Sequence, residues 1–259
     1  MISIIVCSKS NPSWNEHEKN IEATIQADYE YIRIDNRNNE YNICSAYNKG
    51  VDLSNGEIIV FVHEDVFFLE KGWGLILEKK MKEYSDVGLI GVAGTQYLFS
   101  MDQYLKLNTV PVWIGAGVPF TRGRIVQIYN NKALLSVFNW DKSDSEVVAV
   151  DGLFMVIRKS IFEFIRFDST LFDGFHFYDL DICMQLIKHS KCLVTWDILL
   201  KHLSIGVTDE NYIHYGSLFL NKWKNDLPAS CVDIEPTECK SKGIKNYMLN
   251  DHLPPTILQ

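Results

Sequence analysis

Gly56-Glu57-Ile58-Ile59-Val60-Phe61-Val62-His63-Glu64-Asp65-Val66 is the stretch whose reading decides the fold. Ile58 to Val62 form an unbroken apolar run, β-branched or aromatic throughout, that follows the turn signal Ser54-Asn55-Gly56. Such a run reads as a strand buried on both faces, as in the middle of a parallel sheet. It leads directly into His63, Glu64 and Asp65. Ligands of open α/β sheets sit beyond the carboxyl ends of the strands. An imidazole and a carboxylate at that edge can hold a divalent cation, which in turn can hold a diphosphate. The plainer alternative is a polar strand end that is simply solvated.

Upstream, Ile2 to Cys7 reads as a first strand that ends in the polar loop Ser8-Lys9-Ser10-Asn11-Pro12. Asn15 to Ala27 has helical spacing, with Glu16 and Glu18 in the first turn, where the helix dipole favours acids. Tyr29 to Ile34 is a second strand, ending at Asp35-Asn36. Ile43, Ala46, Tyr47 and Val51 mark an amphipathic helix closed by Asn55-Gly56. This β-α-β-α-β order with short connections predicts a right-handedly wound parallel sheet.

Downstream, Trp73 to Tyr84 reads as a helix with Leu75, Leu77 and Met81 apolar, and Val87 to Ala93 as a strand. From Thr95 to Ser145 the pattern loosens: Pro111 to Gly117 reads as irregular loop and Arg124 to Tyr129 as a strand. Loops on a rigid scaffold are where specificity tends to reside. Val147 to Val150 is a strand ending in Asp151-Gly152. Leu193 to Trp196 and Ile198 to Leu203 are short strands around His202. A last helix from Thr208 carries Tyr212, Tyr215, Phe219 and Trp223 on one face, and from Pro228 onward an extended tail is expected.

Phe177 to Ser190 reads as a helix bearing two acids. Asp179 and Asp181 are two residues apart, so they point about 200° away from each other. Asp179 shares a face with Ile182, Cys183 and Leu186, and Asp181 with Gln185 and Lys188. The first is therefore expected to face inward and the second to be solvated. A desolvated carboxylate has a raised pKa and suits a general base; a helix-capping role for Asp179 is the alternative.

The composition sets limits. The 259 residues, 47% hydrophobic and 12% aromatic, can bury a sizeable core. A net charge of -8 argues against a general nucleic-acid binder, while a bound cation could still recruit an anionic nucleotide. The six cysteines have no CxxC pair or zinc-like spacing and read as reduced thiols. Met1 to Cys7 is apolar, without a basic leader and too short for a signal peptide, and no run approaches the length of a membrane span. A cytoplasmic protein is expected, with peripheral membrane contact left open.

Together these motifs resemble the family 2 glycosyltransferases of GT-A fold, over roughly residues 1 to 225. Ser3-Ile4-Ile5-Val6-Cys7-Ser8 resembles the opening strand and base-binding loop, and Ile34-Asp35-Asn36 the second strand, whose acid contacts the base. Ser45-Ala46-Tyr47-Asn48-Lys49-Gly50 and Gly56 to Phe61 resemble the approach to the DXD motif. Asp151 to Lys159 resembles the acceptor-side strand. Phe177-Tyr178-Asp179-Leu180-Asp181-Ile182-Cys183 is similar to the helix carrying the catalytic base, and Lys201 to Gly206 to a late His-containing strand.

The resemblance implies an α/β fold, a Rossmann-like three-layer α/β/α sandwich with a mostly parallel central sheet. It implies a domain over 1–225, with a nucleotide-binding half (about 1–95) and an acceptor-binding half (about 96–225), and a C-terminal extension over 226–259. The reaction implied is transfer of a sugar from a nucleoside diphosphate donor, UDP-sugar favoured, to a hydroxyl of a glycan or glycolipid, with inversion, in polysaccharide or glycoconjugate synthesis. Asp179 would be the base; Ser8, Asp35, Asn36, Lys49, His63 and Glu64 would line the nucleotide. Asp151 and Gly152 would meet the acceptor, and Asp65, His202 and His63 would hold Mn2+ or Mg2+. Two positions depart from the pattern: His63 replaces the first DXD acid, and Tyr178 replaces the usual Glu beside the base. Other classes compatible with the residues are a non-catalytic sugar-nucleotide or glycan binder and a nucleotidyltransferase. Against the latter, the first strand is not followed by a Gly-rich basic phosphate loop.

Overall fold

The computed structural model describes residues 1–9, 14–107, 113–139, 141–204, 209–234 and 245–249. Parts of several expected motifs, including Ser10 to Pro12, Pro111, Val112, Ile205, Gly206, Thr208 and Cys239, lie outside the described residues. The first half contains β1 (Ile2–Ser8), α1 (Trp14–Thr24), β2 (Tyr29–Asp35), α2 (Ile43–Leu53), β3 (Ile58–Val62), β4 (Val66–Phe68), α3 (Trp73–Glu83), β5 (Val87–Gly91), β6 (Ala93–Thr95), β7 (Tyr97–Leu98) and α4 (Met101–Leu107). There follow β8 (Thr121–Tyr129), β9 (Lys132–Val137), β10 (Ser145–Val147), β11 (Ala149–Val150), β12 (Phe154–Arg158) and α5 (Tyr178–Leu186). The chain continues through β13 (Lys191–Val194), β14 (Leu200–His202), α6 (Glu210–Lys222), β15 (Ala229–Ser230) and β16 (Lys245–Leu249).

The main sheet has the order β10-β13-β5-β12-β3-β1-β2. The β1-β2, β1-β3 and β5-β13 pairs are parallel, as the alternation of strands and helices predicts. β12 runs antiparallel between β3 and β5, and β10 runs antiparallel to β13, so the sheet is mixed although most of its strands share one direction. The intervening β12 has a consequence for the site. Its Phe154 lies opposite Val62, which brings the preceding Asp151-Gly152 turn to the end of β3.

Burial on both faces of β3 is a consequence of period-two alternation. Val60 and Val62, with Ile2, Ile4 and Val6 of β1, pack against Ile21 of α1 and Trp73, Leu77 and Met81 of α3. Ile59 and Phe61 pack the other way, against Ile43, Ala46, Tyr47 and Val51 of α2 and the apolar residues of α5 and α6. Helices thus cover both faces, which gives the three-layer arrangement. Gly50 on α2 permits the close approach to β1, because a Cβ there would lie 2.3 Å from the Ile5 side chain.

A second sheet, β11-β6-β8-β14-β4, with β9 and then β16 added beside β8, was only partly visible in the sequence. The β8-β9 hairpin turns through Asn130 and Asn131, both at positive φ, residues that tolerate the left-handed region. Val87 to Ala93 is divided between β5 and β6 rather than forming one strand, and Leu75 of α3 is exposed rather than core. Beyond Pro228 the chain includes the strands β15, paired with β7, and β16, paired with β9.

Candidate active site

His63, Glu64 and Asp65 form the tight turn between β3 and β4, closed by the Val66 N–H donating to the His63 carbonyl at 3.2 Å. β4 pairs antiparallel with β14, and His202 lies opposite Val66, one residue from Asp65. This register brings His202 Nε2 to 3.3 Å from Asp65 Oδ1. The ring centroids of His63 and His202 are 5.7 Å apart. One ligand atom from each of His63, Asp65 and His202 falls within 4.8 Å of the others.

The charges in this cluster are interdependent. Burial would raise the Asp65 carboxyl, but the hydrogen bond and charge of His202, with Ser204 and His63, hold it well below the usual range. Burial would lower His202; its bond to Asp65 and that carboxylate's charge outweigh this and raise it. His63 is pushed down by burial and then by the neighbouring His202, which leaves it neutral. Two imidazoles and a carboxylate make a mixed nitrogen–oxygen donor set. That set fits a divalent first-row cation such as Mn2+ better than Mg2+, which prefers oxygen ligands throughout.

Beside the cluster lies a cleft of about 260 Å³ between Cys7, Lys9, Tyr47, His63, Glu64, Asp65, Phe175 and Tyr178. Glu64 ties the turn to the end of β1, accepting from Ser8 Oγ at 2.8 Å and from the Lys9 N–H at 3.2 Å. The Lys9 ammonium rests over the exposed Phe175 ring, 4.4 Å from its centroid. A larger hollow of about 970 Å³ lies by the start of β3, lined among others by Gly56, Glu57, Arg158 and Lys159. Three of its cations are already engaged: Arg158 donates to the carbonyls of Val87, Met81 and Tyr84, Lys159 to Ser54, and Arg166 pairs with Asp52. Size alone does not mark a candidate site; of the two hollows, the smaller cleft is the one that adjoins the donor set.

Asp179 belongs to a third group of residues. Its Oδ2 accepts the Gly152 N–H at 2.9 Å and its Oδ1 the Leu180 N–H at 2.9 Å. Asp151, before Gly152, accepts from Trp113 Nε1 at 2.9 Å and from the Leu153 N–H at 3.0 Å. Burial first, and the charge of Asp151 second, push the Asp179 carboxyl up to about 7. The N-cap of α5 is Phe177 rather than Asp179, in the left-handed region at φ 63°. That conformation costs a non-glycine residue about 1–2 kcal/mol, and Phe177 is packed against Tyr212 and Phe219.

The expectation that Asp181 is solvated is corrected. Asp181 is 1% exposed, because α6 covers the face it shares with Gln185. Its carboxylate accepts from Trp223 Nε1, Lys222 Nζ and Gln185 Nε2 at 2.7–2.8 Å. Helical phase put the two acids on different faces, but it carried no information about which face a later helix would cover: Asp181 is buried and Asp179 half-buried.

The other expected residues are more dispersed. Ser8 and Asp35 are register partners at the ends of β1 and β2. Asp35 is exposed, and both its oxygens already face Arg37. Asn36 is buried and occupied in its own loop, donating to the Tyr41 carbonyl at 2.8 Å and accepting the Tyr41 N–H at 2.9 Å. Lys49 is exposed and donates to the Tyr41 hydroxyl. Lys9, Trp113 and Phe175 were not singled out in the sequence, since each becomes part of the site only through loop geometry. The two departures from the family pattern meet: His63 Nε2 and the Tyr178 hydroxyl share a hydrogen bond of 2.6 Å.

Comparison with known proteins places this geometry in context. The model of a family described as "Glycosyltransferase like family" matches residues 3–214. A protein of Fuscovulum blasticum called "ATP synthase subunits region ORF 6" is 23% identical over 211 residues, 77% of this chain and 73% of that one. Among solved structures, GalNAc-T7 with UDP, GalNAc and Mn2+ superposes with a TM-score of 0.53 at 8% identity, covering 82% of this chain and 46% of that one. A197 from STIV covers 80% of this chain and 96% of its own at 15% identity, with a TM-score of 0.40. The GalNAc-T7 likeness is one of fold, and that fold is GT-A. Among the described residues, no helix is long and apolar enough to cross a membrane.

Proposed function

Because the chain belongs to the glycosyltransferase-like family, we propose that it moves a sugar from a nucleoside diphosphate donor to an acceptor hydroxyl, with inversion, using Asp179 as the base. The observation carrying this reading is the pairing of two unlike sites at one edge of the sheet. The His63–Asp65–His202 donor set lies at the end of β3, and a carboxylate raised to about 7 lies at the head of α5, joined to the facing turn through the Gly152 N–H.

Asp179 would accept the proton of the acceptor hydroxyl as its oxygen attacks the anomeric carbon; the donor's diphosphate leaves with the electron pair. The Gly152 and Leu180 N–H groups orient the carboxylate, and its desolvation keeps its affinity for a proton high. His63, Asp65 and His202 would hold a divalent cation, Mn2+ by the chemistry of the donors. Once bound, such a cation neutralises the charge that develops on the leaving diphosphate. Ser8, Glu64 and Lys9 would line the nucleotide, with Asp35, Asn36 and Lys49 around the base, and Asp151 would help to seat the acceptor. The UDP, GalNAc and Mn2+ named for the GalNAc-T7 structure favour a UDP-sugar here. The nucleotide would occupy the half of the chain up to about residue 95, and a glycan or glycolipid acceptor the half after it.

The deciding experiment incubates the protein with a panel of UDP- and GDP-sugars and Mn2+ and follows release of the nucleoside diphosphate, with and without candidate glycan acceptors. Release that depends on Mn2+ and on Asp179 supports the reading. Tight binding with the donor left intact would make the protein a sugar-nucleotide binder instead.

A further inference from the structure

The pair formed by His63 and Tyr178 has a geometry that neither residue would show alone. The Tyr178 ring is buried in the core, in edge contact with Tyr47 at 5.8 Å between centroids, so its hydroxyl has little freedom. It is also confined by the neighbouring turn: a Cβ at Gly152 would lie 2.3 Å from the Tyr178 oxygen and 2.9 Å from the Asp179 Cβ. The hydroxyl meets His63 Nε2 at 2.6 Å, on the imidazole that completes the donor set with Asp65 and His202.

A histidine ligand is fixed in tautomer and orientation by what its other ring nitrogen bonds to. With Nε2 engaged by a phenol, the His63 atom left for a cation is Nδ1. For Nδ1 to be free of a proton, Nε2–H must donate to the Tyr178 oxygen across this contact.

We propose that Tyr178 is a positioning residue for a cation site: it holds His63 with Nε2 hydrogen-bonded and Nδ1 available to a divalent cation. Gly152 is glycine so that the phenol can reach this position. The inference rests on the cation reading of the cluster given above. It also links the donor set to the base, because Tyr178 precedes Asp179 on α5 and both pack on Gly152.

The test titrates Mn2+ alone into the ligand-free protein, by electron paramagnetic resonance of the free ion, and records the His63 ring nitrogens by ¹⁵N NMR. Tyr178→Phe keeps the ring and removes the hydroxyl. It should weaken Mn2+ by roughly 10–100-fold, the usual effect of losing such a partner, and should shift His63 toward a mixture of tautomers. Gly152→Ala keeps the hydroxyl but displaces it, and should weaken Mn2+ in the same direction. Tyr215→Phe, which removes an exposed hydroxyl bonded to Asp173, should leave Mn2+ affinity unchanged and so controls for the removal of a tyrosine hydroxyl away from the cluster. If wild-type protein and Tyr178→Phe bind Mn2+ equally well, this inference is overturned and the cation site stands. If wild-type protein binds no Mn2+, the cation reading falls and the inference falls with it.

Discussion

Asp181 accepts the indole N–H of Trp223 at 2.8 Å, and through that bond α5, the helix carrying Asp179, is tied to α6. The same carboxylate takes Lys222 Nζ at 2.7 Å, and Lys222 also reaches Asp168 at 2.8 Å. One helix thus carries two acids with different work. Asp179 is held by backbone N–H groups beside the cleft, whereas Asp181 is a buried acceptor in the packing between two helices.

Removing Asp181 should therefore be a stability lesion. Asp181→Ala leaves the buried Trp223 N–H without its acceptor and the Lys222 ammonium with Asp168 as its remaining carboxylate, which typically costs about 1–3 kcal/mol. Urea unfolding should show a lower midpoint with an unchanged slope. Nucleotide affinity of the folded fraction should stay near the wild-type value. An unchanged midpoint would mean that solvent can replace the carboxylate and that α6 is not anchored through it.

Asp65 carries the cation prediction. It lies 3.3 Å from His202 and within the three-residue donor set. Asp65→Ala should remove most of the divalent-cation-dependent part of nucleoside diphosphate binding and leave the cation-independent part in place. Calorimetric titrations with Mn2+ and with chelator measure the two parts separately. Equal wild-type affinity in both conditions would remove the cluster from nucleotide binding altogether.

Asp35 should matter less than its motif position suggests. Both its oxygens face Arg37 in the free protein, so a nucleotide base must compete with an existing partner. Asp35→Ala should weaken uridine diphosphate binding by no more than about tenfold, the net effect of an ordinary hydrogen bond. A loss beyond a hundredfold would indicate that Arg37 moves aside and leaves the carboxylate buried against the base.

What could be read from the sequence follows from how local each signal is. Strands β1 to β3 and their helices have short connections and strong periodicity, and the structure follows them closely. His63, Glu64 and Asp65 stood out because charge interrupts a buried strand. The antiparallel entry of β12 between β3 and β5 is a long-range pairing with no local signature. The burial of Asp181 depends on α6, some forty residues away, and the contact between His63 and Tyr178 joins residues 115 apart. Both are decided by tertiary packing, which a polar face or a lone substitution in the sequence does not encode.

The last prediction concerns the base and uses pH twice. Burial, and then the charge of Asp151, raise the Asp179 carboxyl to about 7 against the N–H bonds from Gly152 and Leu180. Transfer needs the carboxylate, so its rate should climb about tenfold per pH unit below pH 7 and level off above it. Stability should run the other way. An aspartic acid in the unfolded chain titrates near 3.9. Between that value and about 7 the folded protein holds a proton that the unfolded chain has lost, so the free energy of unfolding falls as pH rises through this window. Asp179→Asn carries no charge to desolvate. It should match wild type below about pH 4 and melt above it by a few degrees at pH 8. Its transfer rate should be lower by about 10²–10⁴ with donor affinity unchanged. If Asp179→Asn transfers at near wild-type rate, or melts lower than wild type at pH 8, Asp179 is a structural acceptor and the base must be sought elsewhere in the cleft.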